Sequence, residues 1–327
     1  MNTLIQLLKH PPAPCIGAAL LLAAPAQSQN LYVSQSIVVP NRIYTFTPGG
    51  TQSTFVSSGL LNPAALAFNS AGDLFEADRG TGNVYEFTPG GVRSTFASGL
   101  NQPEGLAFDS IGNLYVSQSG TGPLGTGGIT KITPGGAQSI FASGITPGGP
   151  GLAFNSAGNL FAPVGGSTIQ EFTPGGTAST FASGLFQPRG LAFDTSGDLF
   201  VTASTGTNGI IYKYTPGGVR STFSSGTTES PLGLAFNSAG DLFVVDAGSG
   251  NIYEFAPNGT RTTFASGLPG AQDLVFSVPE PSISALLGMG FVVLLGTCAR
   301  FKLKRVALAL TQTRACAEVS SNPIPNE

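Results

Sequence analysis

The chain has 327 residues, of which 46 are glycine, 24 are proline and only 9% are charged. Between Gln29 and Ser277 there are 8 Lys/Arg and 14 Asp/Glu, a net charge of −6, which argues against nucleic acid because that partner needs a basic patch. The single histidine, His10, and the three cysteines, Cys15, Cys298 and Cys316, all lie outside that stretch, which excludes from it a disulfide framework and an imidazole acid or base.

Residues 1–28 read as a secretory signal peptide. Lys9 and His10 precede an apolar run, Cys15–Ala24, and small residues follow at Ala24, Ala26 and Ser28. Pro11, Pro12 and Pro14 are unusual in such a leader. No apolar run precedes Cys15, which argues against a lipoprotein anchor.

From residue 30 to residue 277 one motif is copied along the chain. Its clearest copy, Pro231–Leu268, holds four strand signals: Gly233–Phe236, Asp241–Val245, Asn251–Phe255 and Arg261–Ala265. Each is short, rich in aromatic or β-branched residues, and bounded by Gly, Pro, Asn or Ser. The opening strand recurs at Leu66–Phe68, Leu106–Phe108, Leu152–Phe154, Leu191–Phe193, Leu234–Phe236 and Leu274–Phe276. The Pro-Gly-Gly or Pro-Asn-Gly turn also occurs six times, at Pro48, Pro89, Pro134, Pro174, Pro216 and Pro257, spaced by 41, 45, 40, 42 and 41 residues. Asn30–Ser36 matches Asn113–Ser119 letter for letter, yet no opening strand precedes it; the missing one stands at the far end, as Asp273–Phe276. Six four-stranded units whose ends complete one sheet predict an all-β, six-bladed β-propeller, closed by a C-terminal first strand and three N-terminal strands. An open solenoid would gain nothing from split termini.

The stretches P-E-G-L-A-F-D-S-I-G-N-L-Y-V from Pro103 and G-D-L-F-V-V-D-A-G-S-G-N-I-Y-E-F from Gly240 resemble the NHL-repeat and gluconolactonase-like propellers over roughly three-quarters of the chain. Tryptophan is absent, so WD repeats match poorly. The resemblance implies a central channel lined at its mouth by the x of P-x-G-L-A-F: Ala64, Glu104, Pro150, Arg189, Leu232 and Gln272. In gluconolactonase-like relatives that ring supplies Glu, Asn and Asp ligands to a divalent metal, and streptogramin lyases need a catalytic histidine. Here Glu104 is the one carboxylate of the ring, Gln272 is a weak neighbour, and Arg189 repels a cation, whereas a hard cation wants about six oxygens. The ring therefore implies no metal, no cofactor and no catalytic residue, and the chain reads as more a binder than an enzyme. Glu104, Arg189 and Gln272 are the candidate ligand-binding residues.

Three further patterns carry structural expectations. Asp78 and Asp246 follow the second strand, where a side chain caps the next turn. The Asn/Asp-x-x-Gly-Asp/Asn segments, such as Asn69–Asp73, lack the carboxylate density of a calcium loop and predict hairpin turns. On the third strand, Thr45, Glu86, Lys131, Glu171, Lys213 and Glu254 nearly alternate in sign, which predicts that neighbouring blades present opposite charges to each other.

After Ser277 the composition changes. Val278, Pro279, Glu280, Pro281 and Ser282 lead into an apolar stretch, Ile283–Ala299, then Arg300-Phe-Lys-Leu-Lys-Arg305. Seventeen such residues make a helix of ~26 Å, enough to cross a bilayer, with the basic cluster on the cytoplasmic side and the propeller outside. Over 278–305 this order resembles the PEP-CTERM sorting signal, which implies recognition and cleavage by an exosortase. Such signals usually end at the basic cluster, whereas here a tail, 306–327, follows. The sequence thus predicts an exported, membrane-held surface propeller that binds an extracellular polysaccharide or a surface protein. The alternative is a gluconolactonase-like or streptogramin-lyase-like extracellular enzyme.

Overall fold

The computed structural model describes residues 29–278, apart from 38, 120–126, 206–207 and 227. The leader, Pro279–Ser282, the apolar stretch 283–299, the basic cluster and the tail lie outside the described residues. Among the described residues no helix is long and apolar enough to cross a membrane.

The strands run in chain order. The first three are β1 (Leu31–Gln35), β2 (Arg42–Phe46) and β3 (Gln52–Val56). Blade 2 is β4 (Pro63–Phe68), β5 (Leu74–Asp78), β6 (Asn83–Phe87) and β7 (Arg93–Ala97). Blade 3 is β8 (Pro103–Phe108), β9 (Leu114–Gln118), β10 (Gly128–Ile132) and β11 (Gln138–Ser143). Blade 4 is β12 (Ala153–Phe154), β13 (Leu160–Val164), β14 (Thr168–Phe172) and β15 (Ala178–Ala182). Blade 5 is β16 (Leu191–Phe193), β17 (Leu199–Ser204), β18 (Gly209–Tyr214) and β19 (Arg220–Ser225). Blade 6 is β20 (Pro231–Phe236), β21 (Leu242–Asp246), β22 (Asn251–Phe255) and β23 (Arg261–Ala265). The last strand, β24 (Ala271–Phe276), joins the first three in the order β24-β1-β2-β3 and completes blade 1. Its register pairs Leu31 with Phe276, Val33 with Leu274 and Ser34 with Asp273. The chain is a six-bladed β-propeller closed by its two ends, as the repeat arithmetic requires.

Turn chemistry sets these hairpins. In the first hairpin of blade 2, Asn69 Oδ1 accepts from the N–H groups of Ala71 and Asp73, both at 2.9 Å, while Gly72 takes φ 88°. Asp109, Asn155, Asp194 and Asn237 repeat the contact. These segments are the expected hairpin turns.

Blades are held together by aromatic rings. The aromatic of each second strand sits edge-to-face between the Phe of its own fourth strand and the Phe of the next inner strand. Phe161 lies 5.0 Å from Phe181 and 5.1 Å from Phe193, and Phe243 lies 5.0 Å from Phe264 and 4.9 Å from Phe276. Tyr32, Phe75, Tyr115 and Phe200 repeat this. Each such pair contributes about 0.5–1.5 kcal/mol beyond its buried area. Phe276 takes its place in this series, so the interface between blades 6 and 1 is packed like the other five.

The alternating third-strand charges correct the expectation made for them. Lys213 Nζ lies 2.8 Å from Asp198 and 3.7 Å from Asp194, both in its own blade. Glu171 accepts from Asn159 Nδ2 at 2.7 Å, and Glu86 accepts from Ser94 at 3.2 Å, again within one blade. Register explains this: Lys213 stands opposite Phe200, and Glu171 opposite Phe161, beneath the first hairpin of the same sheet. The sequence compensates accordingly. Blades with lysine carry Asp109 or Asp194 at the first hairpin position, and blades with glutamate carry Asn69, Asn155 or Asn237.

Candidate functional site at the channel mouth

The six inner strands β4, β8, β12, β16, β20 and β24 contact one another in succession and ring the axis. Four of them approach a neighbour closely because the third residue of P-x-G-L-A-F is glycine there: Gly105, Gly151, Gly190 and Gly233. A Cβ on Gly151 would collide with the Arg189 carbonyl, and one on Gly190 with the Leu232 carbonyl. Gly151 N–H donates to the Arg189 carbonyl at 3.0 Å, and the Thr202 hydroxyl donates to the Leu232 carbonyl at 2.6 Å. These bonds fix the backbone of the x positions where they meet the mouth.

Glu104 stands at the start of β8, its side chain 14% exposed. Arg79 Nη2 lies 3.1 Å from its Oε1, and the Ser119 hydroxyl donates to the same oxygen at 2.9 Å. Arg79 is delivered by the turn after β5, where Asp78 accepts from the N–H groups of Gly80 and Thr81 at 2.9 and 3.0 Å. Asp78 also accepts from Leu61 and Asn62, at 2.7 and 3.2 Å, so it clamps the loop entering the blade as well as capping the turn that leaves it. Asp246 does the same in blade 6 with Ser230 N–H at 2.7 Å and the Ser249 hydroxyl at 2.8 Å. The capping expectation for both residues is met and extended.

Arg189 precedes β16, its backbone N–H bonded to the Thr202 carbonyl at 2.9 Å. Among the described residues its guanidinium forms no hydrogen bond or ion pair. Gln272 turns its amide onto the Gly270 carbonyl at 3.2 Å. The structure therefore does not join the three candidates to one another. Glu104 is engaged by Arg79 of blade 2, a partner that the x positions alone do not reveal.

The loops that bring the two charged mouth residues share a strained feature. Gln102 and Gln187, each two residues before Glu104 or Arg189, take φ 51° and 46°. Non-glycine residues in this left-handed region cost of order 1–3 kcal/mol and cluster at functional sites.

Two carboxyls, Glu76 buried and Asp273 half-buried, lie outside the x positions. Asp273 occupies in β24 the place that is Ala65, Gly105, Gly151, Gly190 or Gly233 elsewhere. Its Oδ2 accepts from Leu66 N–H at 2.9 Å on one side, and Gly233 of blade 6 abuts it on the other. Some solvent reaches it, yet the flanking strands crowd the carboxylate. Desolvation pushes its pKa from 3.8 up to about 7, against the lowering effect of backbone hydrogen bonds from Leu66 and Leu274. Glu76 in β5 replaces Val33, Val116, Ala162, Val201 and Val244 of the other blades. It is wholly buried, and among the described residues neither carboxylate oxygen has a hydrogen-bond partner. Burial first, then the nearby Asp78, raises its pKa well above the usual carboxylate range, with Arg93 opposing. Both residues are visible in the sequence as breaks in the repeat. Among the described residues no group of three or more His, Cys, Asp or Glu is placed to hold a metal ion.

The chain matches no protein-family model and no curated protein by sequence. Its fold is similar to solved structures. A streptogramin B lyase superposes with TM-score 0.59 at 14% identity, covering 79% of this chain and 93% of the lyase. Virginiamycin B lyase from Staphylococcus aureus gives 0.52 at 16%, covering 66% and 77%. A gluconolactonase from Xanthomonas campestris gives 0.56 at 16%, covering 66% and 83%. At these identities the likeness is one of fold: a six-bladed β-propeller with lyases and gluconolactonases among its structural neighbours.

Proposed function

We propose that this protein is an exported, membrane-held propeller that binds an extracellular polysaccharide or a surface protein through its channel mouth. The observation that carries the reading is the pair of left-handed glutamines, Gln102 and Gln187, in the loops that present Glu104 and Arg189. Arg189 offers a guanidinium with no hydrogen bond or ion pair among the described residues, Gln272 an amide, and Glu104 a carboxylate already bridged by Arg79, which suits hydrogen-bonded recognition more than acid–base chemistry. The leader 1–28 and the run from Val278 to Arg305, with its likeness to a PEP-CTERM signal, support export, a membrane helix at 283–299 and processing by an exosortase.

Fractionation of cells carrying the parent chain or a chain with Val278–Ser282 replaced tests the sorting element. The parent is expected at a lower mass and in the surface or extracellular fraction, and the variant in the membrane. Equal mass and equal location would remove the assignment.

A second reading, a lactone hydrolase or lyase, is favoured by the structural likeness to gluconolactonase and streptogramin lyase. Metal analysis of the purified protein separates the two. Stoichiometric calcium or zinc that is lost on Glu104→Ala supports the enzyme, and a metal-free protein that still binds its polymer supports the binder.

A further inference from the structure

At the end of the blades opposite the mouth, a cleft of ≈ 370 Å³ opens between blades 4 and 5. Pockets for small ligands run from about 300 to 1,000 Å³, so this one fits a ligand of one or two sugar rings. Phe161, Phe181 and Phe193 line it, together with Glu171, Ser156 and Thr215.

The other interfaces show what this cleft lacks. In blade 3, Lys131 Nζ lies 5.4 Å from the centroid of the Tyr115 ring, its cross-strand partner. In blade 5, Lys213 Nζ lies 5.2 Å from the Phe200 centroid and is held by Asp198. Those blades carry their own ammonium over the ring, a favourable contact of charge with an aromatic face. Blade 4 places Glu171 at that register, opposite Phe161. Among the described residues no lysine or arginine forms an ion pair with Glu171. Its Oε1 accepts from Asn159, and no hydrogen bond to its Oε2 is found among the described residues.

The two other glutamate blades are not equivalent. Ser94 donates to Glu86 in blade 2. In blade 6, Thr262 bonds Glu254, and Gln29 crosses the groove to accept from Ser238 N–H at 2.8 Å. Between blades 4 and 5 ring, carboxylate and open space coincide. A single carboxylate flanked by the neutral amides Asn155 and Asn159 suits a monovalent cation with several N–H donors better than a divalent metal.

We propose that this cleft is a binding site for an amino sugar, its ammonium on Glu171 over the Phe161 ring and its hydroxyls on Ser156, Thr180, Ser196 and Thr215. The site is independent of the channel mouth, so neither reading depends on the other.

The test is isothermal titration of the intact protein with the β-1,4-linked glucosamine disaccharide and with its di-N-acetylated counterpart, which has no charge. The free amine is expected to bind about tenfold or more tightly than the acetylated sugar, as a charge-assisted hydrogen bond warrants. Glu171→Gln is expected to abolish that difference, and Glu86→Gln to leave it intact. The double variant Asn155→Asp/Glu171→Lys recreates the arrangement of blade 3, where Asp109, Asn113 and Lys131 hold these positions; it should fold with an unchanged melting midpoint and lose the amine. Equal binding of the two sugars, no saturable binding by the parent, an equal loss in Glu86→Gln, or full binding by the folded double variant would each overturn the proposal. Loss of binding in Arg189→Ala would also overturn it, since that residue belongs to the other end.

Discussion

The carboxylate of Asp273 accepts a hydrogen bond from the backbone N–H of Leu66, 2.9 Å away, across the boundary between the first and second blades. The two residues lie 207 positions apart in the chain. The contact ties the last strand to the second blade at the axis, with a carboxyl whose pKa is about 7. Folding raises that pKa, so the folded state holds a proton that the unfolded chain releases. The stabilising contribution is fully present below the ordinary value of 3.8 and is lost as the pH climbs through about 7. Asp273→Asn keeps the acceptor and removes the titration. Its melting midpoint should exceed that of the parent at about pH 8, with the gap closing as the pH falls to about 4. Parallel profiles for the two proteins would refute this.

Glu76 titrates in the same direction, because its pKa too is raised by burial. Unlike Asp273, it has no hydrogen-bond partner among the described residues. Glu76→Val installs the residue found at the same place in blades 1, 3, 5 and 6. A buried polar group without a partner costs about 1–3 kcal/mol, so the variant should gain about that much in urea unfolding at neutral pH, and less in acid. A loss of stability at pH 7 would refute this.

The ion pair of Lys213 should be local to its blade. A double-mutant cycle between Lys213 and Asp198 is expected to give a coupling of about 0.2–1 kcal/mol that fades with salt, as for other partly exposed pairs. A cycle between Lys213 and Glu171 of the preceding blade should give no coupling. The reverse ranking would restore pairing between blades.

Close approach of the inner strands predicts an unequal response to alanine at two glycines. Gly151→Ala drives a Cβ into the backbone of Arg189 and Leu191, and should destabilise by about 1–3 kcal/mol. Gly72→Ala meets open space, so it should cost only the left-handed backbone penalty of roughly 1 kcal/mol. Denaturant midpoints of the two variants check the order.

Much of this architecture was legible in the chain. The six opening strands, the six Pro-Gly turns and the orphan Asp273–Phe276 suffice to count the blades and to pair the ends, because each strand must bury its apolar face against a copy of itself. Other features depend on contacts between loops that have no fixed spacing. Arg79 meets Glu104 only because Asp78 shapes the turn before it, and no repeat position announces that meeting. The short inner strand of blade 4, Ala153–Phe154, follows from Pro163, which brings no N–H to the ladder at the place where other blades have Ser34, Ala77, Ser117, Thr202 or Val245. The alternating charges were visible, but their partners were assigned across blades. Register places them under their own hairpins, and the accompanying Asp-or-Asn choice at 109, 155 and 194 was the signal that would have said so.

Blade 1 borrows its innermost strand from the far end of the propeller, and this orders events as the polypeptide emerges. The segment 31–56 appears first, yet its innermost hydrogen-bonding row stays bare until residues 271–276 arrive. Throughout that interval the nascent molecule exposes a ribbon edge open to any extended peptide nearby. A polypeptide ending before Ala271 lacks the strand that pairs with Leu31–Gln35 and keeps that edge bare.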